Sequence, residues 1–178
     1  LSKEYDTVIT ARSYSHLFSS ITVSWSDPSW WNMNWNYRKL ANIQNPSLNY
    51  QMKITIGYSS ATNVDVHLEG KCKTDFSDVR FTNKNNSAEL SYWMENKTNG
   101  DKAQFWIKTN GEDALNIYYG NASASSKSNA SAVFLFFDDF SGSSLDTNKW
   151  DQINSGTGTI NINEGNITIA SSGDWWST

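Results

Sequence analysis

From residue 51 to residue 58, apolar and polar side chains alternate. Met52, Ile54, Ile56 and Tyr58 fall on one side, and Gln51, Lys53 and Thr55 on the other. A period of two is the signature of a strand with one buried face. Short runs of the same character recur at Val64–Leu68, Val79–Thr82, Leu90–Met94, Ala103–Lys108 and Leu115–Tyr119. Polar turn clusters separate them, including the tight-turn dipeptides Asn99-Gly100 and Asn110-Gly111. Many short strands without intervening helical periods predict an all-β chain, an antiparallel β-sandwich of jelly-roll-like type.

Three stretches depart from that pattern. Leu1, Tyr5, Val8, Ala11, Ser15 and Phe18 lie near one side of a 3.6-residue helix, which predicts an N-terminal α-helix over 1–22. It ends before the β-prone run Ile21–Trp25. Asn121–Ser131 is a small, polar run that reads as a linker or long loop. After it, Val133–Phe140 reads as an apolar strand ending in two carboxylates. Residues 156–162 and 166–170 read as a hairpin turning at Glu164-Gly165. The expected organisation is a helix over 1–22, a sandwich over 23–131, and further strands over 132–178.

Composition narrows the function. Aromatic residues make up 14% of the 178 residues, with 9 Trp, which excludes disorder, collagen and coiled coil. The net charge of −4 argues against binding to duplex nucleic acid. No apolar run reaches bilayer-spanning length, so membrane attachment would require a segment absent from this chain. Asn, Ser and Thr carry much of the polar mass, as in exported surface proteins. Leu1 opens directly into polar sequence, and Trp175-Trp176 stands close to the other end. Both ends therefore read as cuts through a longer protein.

Candidate chemistry is sparse. Cys72 is the sole cysteine, so neither an internal disulfide nor a cysteine-based zinc site is possible. His16 and His67 show no ligand spacing. No loop carries the spaced acids of a calcium cage, and neither a metal nor a cofactor is expected. Asp138 and Asp139 are neighbours on the expected strand and would point to opposite faces, so they cannot flank one glycosidic bond. Asp78 and Arg80, two apart on an expected strand, read as a structural ion pair. Trp30 and Trp31, beside the Asp27-Pro28 turn, are the best candidates for an exposed sugar-stacking platform. Five sequons, at Asn85, Asn96, Asn121, Asn129 and Asn166, supply N-glycosylation acceptors if the chain is exported.

Six segments carry a family resemblance: WNYRK at Trp35–Lys39, DVRFT at Asp78–Thr82, ELSYWME at Glu89–Glu95, AQFWIKT at Ala103–Thr109, NIYYGNASA at Asn116–Ala124 and VFLFFDDF at Val133–Phe140. In that order and spacing they resemble the domain-of-unknown-function family 2341 of archaeal and bacterial surface proteins, roughly from Trp30 to Ser131. FFDDFSGSSLDTNKW, from Phe136 to Trp150, is similar to the opening of a concanavalin-A-like, laminin-G-like segment. The family brings no catalytic residues. Some archaeal members resemble pilins, which would make residues 1–22 the tail of an anchoring helix. The resemblance therefore implies a non-enzymatic, extracellular cell-surface module. Its expected work is adhesion or assembly, as the head of a minor pilin or other surface filament protein, with other subunits as partners. Glycans are the partner in the alternative, a carbohydrate-binding module.

Overall fold

The computed structural model describes residues 30–151 and 158–170. The expected helix over 1–22 and the run Ile21–Trp25 lie outside the described residues. The chain divides into two compact units, Leu1–Leu135 and Phe136–Thr178.

The regular structure in the described part of the first unit is strand apart from one helical turn, as the alternation predicts. β1 (Tyr37–Asn42), β7 (Ala114–Tyr119) and β4 (Arg80–Asn83) form a three-stranded antiparallel sheet with β7 in the middle. The second sheet runs β3-β2-β6-β5, from β2 (Tyr50–Gly57), β3 (Val66–His67), β5 (Tyr92–Thr98) and β6 (Lys102–Thr109). Its long pairs, β2 with β6 and β5 with β6, are antiparallel. The two-residue β3 pairs with β2 in parallel, a departure from the expected pattern.

The two sheets share one core. Phe81 from β4 meets Tyr92 of β5 and Phe105 of β6, with all three ring pairs edge-to-face at 5.4–5.7 Å. Such pairs add about 0.5–1.5 kcal/mol each beyond the area they bury. Ile54, Ile56, Ala103, Ile107, Leu115 and Ile117 are among the other residues of this interior. β6 alternates strictly, its inner residues buried and its outer ones half-exposed. β7 is buried on both faces, because its outer side is also covered.

The backbone bends at both Asn-Gly dipeptides, but only one closes a hairpin. Asn99-Gly100 closes the β5–β6 hairpin, with Gly100 at φ +72°. Asn110-Gly111 instead carries the backbone from one sheet to the other, since β6 and β7 belong to different sheets.

Of the two expected readings of residues 121–131, the long loop fits, and it is tied down rather than free. The Asn129 N–H donates to Tyr92 O at 2.8 Å, and the Ser128 hydroxyl accepts from Met94 N at 2.7 Å. The Lys127 N–H donates to Tyr92 Oη at 3.0 Å, while its ammonium pairs with Glu89 at 2.8 Å. This strap ties β7's exit across the β4 and β5 edges. It ends in one helical turn, α1 (Ala130–Val133), capped by the Asn129 carboxamide. Val133–Phe140 is accordingly not a strand. Val133 is buried, and Phe134 lies edge-on to Trp93 and Trp106, both at 5.8 Å. Phe134 thus supplies packing for an outer sheet face instead of a place in a ladder. The first compact unit runs to Leu135.

In the second unit, β8 (Thr159–Asn163) and β9 (Asn166–Ala170) form the expected hairpin, turning through Glu164 and Gly165 at positive φ. Its other described feature is a knot around Trp150, whose ring meets Phe136 at 5.1 Å and Phe140 at 5.7 Å.

Candidate functional site

Three of the segments read as distinctive in the sequence converge at one end of the three-stranded sheet. The Trp35 indole N–H donates to Asp78 O at 2.6 Å. The buried Asp78 carboxylate accepts three backbone N–H groups, from Lys73 at 2.9 Å, Gly120 at 2.7 Å and Asn121 at 3.1 Å. Asn36 donates a carboxamide N–H to Gly120 O at 2.7 Å, and Tyr37 stacks on Tyr119 at 5.4 Å. Gly120 sits at φ +86°, and a Cβ there would lie 2.5 Å from Tyr37 Cδ2. The Tyr-Tyr-Gly-Asn run is thus a packing junction where the strap leaves β7.

The expected Asp78–Arg80 ion pair does not form. Asp78 lies in a turn before β4, so the strand alternation that would align the two side chains has not begun. Arg80 is 2% exposed and reaches the strap instead. Its Nη1 donates to Ser77 O, Val79 O and Tyr92 Oη at 3.0, 2.7 and 3.2 Å, and its Nη2 donates to Ser125 O. Its Nε lies 3.5 Å from Glu89 Oε1, and the guanidinium stands 5.4 Å from the Trp35 ring centre.

Trp30 and Trp31 are half-buried and engaged. Trp30 lies edge-on to Tyr118 at 5.3 Å, beneath the Arg38 guanidinium at 4.9 Å. Its indole N–H donates to Asn32 O and Trp35 O. Trp31 packs on Trp35 and Tyr118, and its N–H donates to Tyr118 Oη at 3.0 Å. The pair covers the outer face of β7, rather than offering two open ring faces.

The sequons fall in different settings. Asn85, Asn96, Asn129 and Asn166 are exposed. Asn121 is buried, its carboxamide oxygen accepting from the Ser123 N–H and hydroxyl, which leaves little room for a glycan in the folded protein. Asp138 and Asp139 lie in a loop. Asp138 accepts from Phe140 N and Trp150 Nε1, and these bonds hold its carboxyl below the usual carboxylate range. Among the described residues no group of three metal-ligating side chains occurs.

A cleft of about 410 Å³ opens between β1 of one sheet and β2 and β3 of the other. Ile43, Met52, Ile54 and Val66 form its floor, at the rim of the core. Leu40 and Tyr50 line its mouth, 56% and 58% exposed. Sequence reasoning missed this cleft. Its residues come from four separate segments, and only the sheet order brings β1 opposite β2.

Residues 75–154 match the family model of a domain of unknown function, DUF2341. The DUF2341 match takes in β4 to β7 and the strap, with Asp78, Arg80 and Gly120, and passes the division after Leu135. Trp35–Lys39 and most of the cleft lie outside it. No curated protein and no solved structure matches the sequence.

Burial also sets an alkaline limit. It raises Cys72 from 9.0 to about 12, with the Asp78 charge adding to the effect, and raises Tyr119 from 10.0 to about 12. Both folded values exceed the unfolded ones. Their contribution is full below pH 9.0 and is lost as pH rises toward about 12. Circular dichroism across that window should show stability falling; a flat profile to about pH 12 would contradict it.

Proposed function

We propose that this protein is a non-enzymatic, extracellular surface module that serves adhesion or assembly, as the head domain of a minor pilin or other cell-surface filament protein. The observation that carries the reading is the cleft beside β1, with Leu40 and Tyr50 exposed at its mouth. Apolar surface gathered at one opening marks an interaction site, and here we read the occupant as another polypeptide. Among the described residues β1 pairs only with β7, and we read its other edge as the place for an added strand. We also read the sandwich as jelly-roll-like and the stretch from Phe136 as the start of a concanavalin-A-like segment; the separate unit beginning there supports this.

The alternative, carbohydrate binding through Trp30 and Trp31, has less support, because Tyr118 and Trp35 already occupy both rings. One experiment separates the two. A Leu40→Glu, Tyr50→Ser variant would be expressed in the producing cells and followed into the envelope fraction. Recovery there should fall about tenfold, equivalent to roughly 1.4 kcal/mol of binding, while the purified variant melts normally. Unchanged recovery would overturn the assembly reading. Loss of glycan-array binding in Trp30→Ala alone would favour the alternative.

A further inference from the structure

Both Asn-Gly dipeptides invite the same spontaneous chemistry, and the fold treats them differently. In such a pair the glycine amide nitrogen gives up its proton to solvent base and attacks Cγ of the asparagine. The carboxamide's own C–N bond breaks and ammonia leaves, closing a five-membered succinimide. Water then opens the ring at either carbonyl, giving aspartate or isoaspartate. One water enters, one ammonia departs, and nothing is oxidised or reduced. Glycine favours the attack because it has no Cβ to shield its nitrogen.

At Asn99 the nucleophile is tied down: the Gly100 N–H donates to Thr74 O at 2.8 Å. At Asn110 the local hydrogen bond takes the Asn110 N–H to the Glu112 carboxylate, and the Gly111 N–H has no acceptor among the described residues. Asn110 and Gly111 are exposed, in the crossover between the two sheets.

We propose that Asn110 is a self-modifying site in the folded protein, converting to aspartate and isoaspartate through a succinimide, and that the Thr74 contact protects Asn99. Conversion adds a negative charge beside Glu112 and Asp113. The isoaspartate form also inserts an extra methylene into the backbone between β6 and β7. Leu48 stands close to this turn, since a Cβ on Gly111 would lie 3.1 Å from its Cδ2. The change would therefore be felt by the 43–49 loop, which supplies one wall of the cleft.

Peptide mapping by mass spectrometry tests this, after the folded protein has been held in mildly alkaline buffer. The readout is replacement of the amide by an acid in each Asn-Gly peptide, with isoaspartyl methyltransferase labelling to identify the isomer. Asn110 should convert roughly two- to tenfold faster than Asn99, the ratio one net hydrogen bond permits. In denaturant, where Thr74 no longer holds Gly100, the two rates should converge. Gly111→Ala should slow conversion at Asn110 alone. Equal rates in the folded protein, or faster conversion at Asn99, would overturn the proposal.

Discussion

Arg80→Met should lower the stability of the first unit by about 3–5 kcal/mol, because several acceptors around the enclosed guanidinium lose their donor at about 1–3 kcal/mol each. The guanidinium is almost fully enclosed and spreads its donors over Ser77, Val79, Tyr92 and Ser125. Methionine fills part of the volume but leaves the carbonyls of Ser77 and Ser125 short of a donor. It also leaves Glu89 with Lys127 as its remaining cation. Lysine should rescue little, because a single ammonium cannot reproduce a fork that bonds strand and strap together. Urea titration followed by tryptophan emission would measure the loss. A change under about 1 kcal/mol would place Arg80 among the weakly contributing surface charges.

Gly120→Ala is the second large effect, expected to cost about 2–5 kcal/mol. A left-handed backbone costs a residue with a Cβ about 1–2 kcal/mol. Forcing an atom into packed surroundings adds about 1–3 kcal/mol. Gly120 meets both conditions, with φ +86° and Tyr37 Cδ2 at 2.5 Å from the new carbon. Gly100→Ala is the matched control, since Gly100 has φ +72° but nothing within 4 Å of its Cβ position. The control should show the conformational penalty alone. Equal denaturation midpoints for the two variants would mean that Tyr37 yields freely and that the junction is looser than its geometry implies.

Much of this architecture was legible because period two is a local property. Ile54, Ile56, Phe105, Ile107 and Ile117 could be placed on inner faces from their neighbours alone. What failed to read was everything decided by distant partners. The strap is small and polar, as linkers are, and only Tyr92, Met94 and Arg80, contributed by other strands, turn it into a fixed element. Val133–Phe140 has the composition of a strand, yet Phe134 is claimed by Trp93 and Trp106. The Asp78–Arg80 pairing assumed an alternation that starts two residues too late. The candidate site was the least visible of all, because an opening between sheets has no sequence period. Trp30 and Trp31 drew attention as large exposed aromatics beside a turn, whereas Tyr118, far along the sequence, takes them as cover.

The strap also governs how this fold would answer a pull. β7 lies between two strands and is buried on both faces, but a force applied beyond Leu135 does not reach it first. It meets Phe134 seated on Trp93 and Trp106, then the Asn129 and Ser128 bonds to β5, then the Arg80 grip on Ser125. These attachments stand in series along the backbone. Tension would break them one after another, each rupture releasing a short length of slack and dissipating work while the sheets stay closed. A module tethered through its C-terminal side would thus yield by small recoverable steps before its core was threatened.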